Sequence, residues 1–367
     1  MLFRPEAFEP LTDTPWSEGR VRDAIAAIVR DTEAAYDPDR LWDDELDLFA
    51  GAAGVVFALD ALRRRGSAEV RINLAEAALR MLELWRERAR HELGLLGGES
   101  GMLVVAWRLT RDPALADRLL ACIHENVGND ANELMWGAPG TLIASHAMHA
   151  WTGEPRWRDA WAESAAEVRR RRDADGLWTQ RLGRFESRYL GPAHGATGNV
   201  LALLQGNPAE DVQAIAEKLA EAVVLEDGLA NWPPVDGDDL ESAKDGQIRV
   251  QWCHGAPGIV SSASSYLPEE LFLAGAELTW RAGPHRDKGP GICHGTAGNG
   301  YAFLKAFERT GDERWLERAR RFAVHALEQL EHRERRHAIW LGDLGVALYA
   351  ADCLDARTRY PVLETWD

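Results

Sequence analysis

Seven times along this chain two glycines three residues apart open an apolar run, and few folds can absorb that pattern. The pairs are Gly51 and Gly54, Gly98 and Gly101, Gly137 and Gly140, Gly195 and Gly198, Gly255 and Gly258, Gly295 and Gly298, and Gly342 and Gly345. They recur every ~40 to 60 residues, which leaves room for two helices and a variable loop per unit. The runs that follow, such as 55–62, 102–107 and 141–145, have almost no polar face and belong inside. The stretches 69–92, 113–126, 156–172, 209–224 and 313–331 mix apolar residues at helical spacing with Arg and Glu, and predict amphipathic outer helices. Alternation of about seven inner and seven outer helices predicts an all-α fold, an α/α toroid formed by residues 1–367 as one domain. Glycine at each inner-helix entry would admit positive φ and close backbone packing.

Two longer inserts interrupt the repeat, 173–189 and 226–251, and read as loops or short hairpins. Each runs into a turn with chemistry in it, at His194 and at Cys253. Loops long enough to cover a site are usually functional. The acidic run Asp236-Gly-Asp-Asp-Leu-Glu241 has no calcium-loop spacing and reads as a solvated loop. A net charge of -17 argues against nucleic-acid or anionic-membrane partners, because phosphate contact needs excess Lys and Arg. No run approaches the ~18 apolar residues of a membrane span, and the first residues lack a secretory layout. A cytoplasmic protein is the expectation.

Four cysteines in 367 residues are too few for a disulfide framework. Cys122 and Cys353 lie inside helices with no adjacent His and read as buried free thiols. Cys253-His254-Gly255 and Cys293-His294-Gly295 differ, since each opens an inner helix. Consecutive inner helices of a ring are neighbours, with their N-terminal turns at one rim. Two thiolates and one imidazole suit zinc, and three protein ligands leave the open position of a catalytic site. Spacing alone does not decide between His254 and His294 as the nitrogen ligand.

At these residues the chain resembles the lanthionine synthetase C-like (LanC-like) family. Trp252-Cys-His-Gly-Ala-Pro-Gly258 and Gly291-Ile-Cys-His-Gly-Thr-Ala-Gly-Asn299 are similar to its two zinc-ligand motifs, and Gly191-Pro-Ala-His-Gly195 to its catalytic histidine motif. The likeness spans all seven turns, Leu341-Gly-Asp-Leu-Gly345, and Tyr360-Pro-Val-Leu-Glu-Thr-Trp366. It is closer to the stand-alone, eukaryotic-type members than to lantibiotic cyclases, which tend to carry Tyr in place of His254. That variation favours His294 as the ligand.

The resemblance implies a Zn2+ ion on Cys253, Cys293 and His294, binding a thiol and lowering its pKa. It implies addition of glutathione or a peptide cysteine to a dehydroamino acid, forming a thioether. His194 would pass the proton, Arg249 would stabilise enolate charge, and Glu133 would orient a catalytic partner. Lys288 stands where stand-alone members place a lysine on glutathione. Tyr189 and Trp252 are candidates either for lining the pocket or for the core. With no dehydratase domain in the sequence, a dehydrated peptide or protein substrate would need a dehydratase partner in trans. One alternative is a non-catalytic zinc- and glutathione-binding scaffold. Another is a toroid glycosidase with Glu99 and Glu133 as paired carboxylates, which would leave the Cys-His pairs without a role.

Overall fold

The computed structural model describes residues 1–367 except 43, 89, 90, 211 and 242–245; those parts of the predicted helices 69–92 and 209–224 and of the 226–251 insert lie outside the described residues. Among the described residues, fourteen α-helices alternate from outer to inner. The pairs are α1 (Glu18–Ala34) and α2 (Ala52–Arg64), α3 (Leu74–Glu87) and α4 (Glu99–Thr110), α5 (Pro113–Asn126) and α6 (Ala138–Thr152), and α7 (Pro155–Arg170) and α8 (Ala196–Gly206). Then come α9 (Gln213–Ala222) and α10 (Ala256–Ser262), α11 (Glu269–Ala282) and α12 (Thr296–Thr310), and α13 (Glu313–Glu331) and α14 (Asp343–Asp355). Each inner helix packs on the next, from α2 through α4, α6, α8, α10 and α12 to α14, and α14 returns to α2. The ring is closed, an α/α toroid as the repeats predict.

Burial follows the sequence pattern. Helix α2 is buried at every residue from Ala52 to Leu62. Helix α13 buries a stripe including Trp315, Leu316, Ala319, Phe322 and Ala323 and exposes Arg and Glu between them. The second glycine of every pair lies over the carbonyl of the residue six positions earlier: Leu48 under Gly54, Trp252 under Gly258, Ile339 under Gly345. A Cβ at any of the seven would come closer than 3.0 Å to that oxygen. Positive φ, by contrast, is needed at only one of the repeat glycines, Gly255 at 104°. Close backbone approach, not φ, is therefore the common requirement.

The loop that each glycine pair admits also serves the helix behind it. The first N–H of several inner helices donates to the carbonyl seven residues back, as Ala52 does to Glu45 (3.1 Å), Ala196 to Tyr189 (3.0 Å) and Thr296 to Gly289 (3.1 Å). Successive turns are tied as well, always at the residue two before the first glycine. Phe49 N–H donates to Leu96 O (3.0 Å), Leu96 to Met135 (3.2 Å), Cys253 to Cys293 (3.0 Å) and Cys293 to Trp340 (2.9 Å).

Residues after α14 occupy the bore of the ring. Tyr360, Val362, Leu363 and Trp366 are buried there, with Trp366 edge-on to Phe57 (5.6 Å) and Trp151 (6.0 Å). The inserts form two antiparallel hairpins, β1 (Gln180–Leu182) with β2 (Phe185–Ser187) and β3 (Val224–Glu226) with β4 (Leu229–Asn231). A bridge between Tyr189 and Val235 joins the two inserts. Among the described residues, no helix is long and apolar enough to cross a membrane.

Candidate metal centre

The ring gives each repeat the same two addresses at the rim, one and two residues before its first glycine. In the fifth and sixth repeats these hold Cys253-His254 and Cys293-His294, and in the fourth Ala193-His194. Forty residues of sequence between the two cysteines thus become adjacent turns, tied by the Cys253 N–H to Cys293 O bond (3.0 Å). The ligand atoms of Cys253, Cys293 and His294 all lie within 4.8 Å of one another. His254, the rival imidazole, is outside that group; its ring faces Tyr189 at 5.3 Å.

Both thiols are buried, and they share a hydrogen bond. Cys253 is held well below the ordinary thiol range, first by the bond from Cys293 and then, against the cost of burial, by His294. The same bond, with burial, holds the Cys293 proton on. Gln251 Nε2 adds a donor to Cys253 Sγ at 2.9 Å. A negative sulfur is thus favoured before any metal arrives, and two thiols with one imidazole form a donor set that fits zinc with a position to spare.

Beside this cluster stands a carboxylate–imidazole pair. Glu133 is completely buried, and its carboxylate accepts the backbone N–H groups of Met135 and Trp136, both at 2.8 Å. It also meets Nδ1 of His194 at 2.9 Å. Met135 is one of the linking positions between turns, so the Glu133 carboxylate takes the N–H that its equivalents in the first, second, fifth and sixth repeats give to the next turn. Trp136 stacks on the His194 ring (5.6 Å between centroids, 20° between planes) and Tyr189 flanks it at 6.1 Å. Burial depresses the His194 pKa, but the Glu133 hydrogen bond and charge, with Cys253, outweigh it, and the net shift is upward. His194 thus feels the charge of Cys253. For His254, burial prevails, and it is held below the ordinary imidazole value.

The remaining predicted residues lie further out. Arg249 is half-buried, bonds Gln247 Oε1 at 3.2 Å, and its charge is felt at His254. Lys288 is half-buried and its charge reaches His285. Trp252 belongs to the core, 2% exposed and stacked on Tyr360, whereas Tyr189 faces His194 and His254. Glu99, at the start of the inner helix α4, is paired with Arg118 of the outer helix α5 (2.6 Å). Gln251 and Trp136 were not foreseen. The signal for both lies in the repeat register, since Gln251 and Glu133 each stand four residues before a first glycine and Trp136 stands at the address of the histidines.

Comparison with known proteins shows the family and a likeness of fold. A model of the "Lanthionine synthetase C-like protein" family matches residues 12–363. The chain is 30% identical to "Glutathione S-transferase LANCL1" of Danio rerio over 198 residues, 49% of the chain and 47% of the relative. It is 32% identical to "LanC-like protein GCL1" of Arabidopsis thaliana over 157 residues, 39% of the chain and 34% of the relative. The matched stretch thus spans less than half of either relative. Among solved structures, "Nisin cyclase" superposes with a TM-score of 0.62 at 16% identity, covering 92% of this chain and 94% of that one, a likeness of fold.

Proposed function

Because the chain belongs to the lanthionine synthetase C-like family, we propose that Cys253, Cys293 and His294 hold zinc and that this centre takes the thiol of glutathione. The convergence of two thiols and one imidazole within 4.8 Å at one rim carries the proposal. The printed name of the zebrafish relative, a glutathione S-transferase, supports the choice of thiol. Zinc bound there supplies Lewis acidity, which brings a thiol's pKa into the neutral range. Gln251 steadies the charge on Cys253, and Lys288 reaches a carboxylate of the tripeptide. Binding alone, without turnover, asks for nothing more of the chain.

The Glu133–His194 pair favours a second reading, in which the bound thiol adds to a dehydroamino acid of a peptide or protein dehydrated elsewhere. Glu133 fixes the proton on Nδ1 of His194, which leaves Nε2 to exchange one with the reactants. The sulfur–Cβ bond forms, the alkene pair moves onto the carbonyl as an enolate, and Arg249 stabilises that oxygen. His194 Nε2 then returns a proton to Cα. Against the cost of burial, the hydrogen bond and charge of Glu133 move the His194 pKa upward, the direction that favours holding a proton for delivery.

Calorimetry of the zinc-loaded protein with glutathione, followed by single turnover with a dehydroalanine peptide, separates the readings. Glutathione is expected to bind the wild type and not C253S/C293S. Thioether formation is expected to fall about 10²- to 10⁴-fold in H194N, with glutathione affinity kept. No product from the wild type leaves a binding protein; no zinc-dependent glutathione binding overturns both readings.

A further inference from the structure

The segment Tyr360–Trp366 has no part in the chemistry above, yet one of its side chains reaches both cysteine turns. Tyr360 is buried in an aromatic box: Trp252 stacks on it at 4.7 Å, Trp340 at 5.7 Å, and Tyr301 leans on it at 4.4 Å. Trp252 immediately precedes Cys253. The Tyr360 hydroxyl donates to the carbonyl of Ile292, which immediately precedes Cys293. Trp340, in turn, accepts the Cys293 N–H through its carbonyl at 2.9 Å. One phenol ring therefore touches three consecutive turns, two of them bearing the sulfurs.

The post is itself fixed. Glu364 accepts the Tyr360 N–H at 2.8 Å and the Lys305 ammonium at 2.7 Å. Lys305 is 3% exposed and lies on α12, the helix that His294 and Gly295 open. Glu364 N–H returns a bond to Tyr360 O at 2.9 Å, which closes the loop on itself. Tyr360 is therefore anchored through Glu364 to an ion pair whose lysine is buried and whose carboxylate is half-buried.

We propose that Tyr360 is a positioning residue for the metal centre, setting the approach of the Cys253 and Cys293 turns from inside the bore. The proposal rests on the zinc reading above and adds a determinant of affinity remote from the ligands. Outer partners that orient metal ligands typically contribute about 10- to 100-fold in affinity.

The test compares Y360F with Y349F. Tyr349 is an equally buried tyrosine whose hydroxyl donates to a backbone carbonyl, Ala319 at 2.8 Å on the outer helix α13, and lies by the Cys353 thiol, not by a turn bearing Cys253 or Cys293. Zinc affinity is measured by chelator competition, and the Co2+ form is read by its sulfur-to-metal charge-transfer band. Y360F is expected to weaken zinc about tenfold and to shift or weaken the Co2+ band, while Y349F leaves both unchanged at a similar loss of apo-protein Tm. If Y360F does not fold, E364Q, which keeps the phenol and loosens its anchor, is expected to weaken zinc several-fold. Wild-type affinity in the folded Tyr360 or Glu364 variants, or an equal loss in Y349F, overturns the proposal. A wild-type protein binding zinc no better than C253S/C293S overturns the metal reading itself.

Discussion

At the scale of single residues, the centre is built from side chains whose roles depend on what faces them. Cys253, Cys293, His194 and the two candidate imidazoles were legible in the sequence because motif and repeat register coincide there. The sequence offers Glu133 as one of a carboxylate pair with Glu99 and, through the family resemblance, as a partner of the catalytic groups; the structure joins it to His194 at 2.9 Å and leaves Glu99 with Arg118. For Gln251 the repeat register marks the position, but the role of the amide comes from the Cys253 sulfur 2.9 Å from it, which only the fold supplies. His285 shows the same dependence. Its Nε2 bonds Val250 O at 3.1 Å, and Phe8 stacks on its ring at 4.3 Å. Burial pushes its pKa down from 6.5 to about 4. The unfolded chain then binds this proton more tightly than the folded one. The stability that neutral His285 contributes is complete above pH 6.5 and falls as pH drops towards 4. NMR titration is expected to place the His285 midpoint near 4. Urea titrations are expected to lose on the order of 3 kcal/mol across that window, and H285Q is expected to show a flatter profile.

At the scale of elements, glycine positions predicted every inner helix, because they record where the loop backbone lies against the helix start. The two outer helices not picked out individually, α1 and α11, follow no such marker; their apolar stripes became identifiable only as the wall of a closed ring. The expected positive φ at helix entries was needed only at Gly255, since the other turns are made tight by contact. A Cβ at Gly258 would run into the Trp252 carbonyl and press against Pro192. Gly258→Ala is expected to cost about 3 kcal/mol or more and to disturb metal binding. Gly153→Ala, at φ 69° with nothing within 4 Å, is expected to cost only about 1 kcal/mol of backbone strain. Chemical denaturation of the two variants with a zinc titration checks both.

At the scale of the whole molecule, closure of α14 on α2 makes each turn depend on its neighbours. The Cys253, Cys293 and His294 cluster bridges the fifth and sixth turns, so a metal held there would fasten two repeats that otherwise meet through backbone bonds and packing. Free zinc at a hundredfold excess over Kd is expected to stabilise the ring by about 2.7 kcal/mol. Calorimetric Tm is expected to fall by several degrees on chelation and to be indifferent to zinc in C253S/C293S.

The rim addresses have a further consequence. The glycines that make each turn and the two residues just before them are separate letters of the repeat, one set for folding and one for chemistry. In the first, second and seventh repeats the chemical letters read Phe49-Ala50, Leu96-Gly97 and Trp340-Leu341. Leu96 and Trp340 belong to the core and a side chain at Gly97 would meet Trp136, so Ala50 and Leu341, both half-buried, are the seats where a reactive group would displace the least packing.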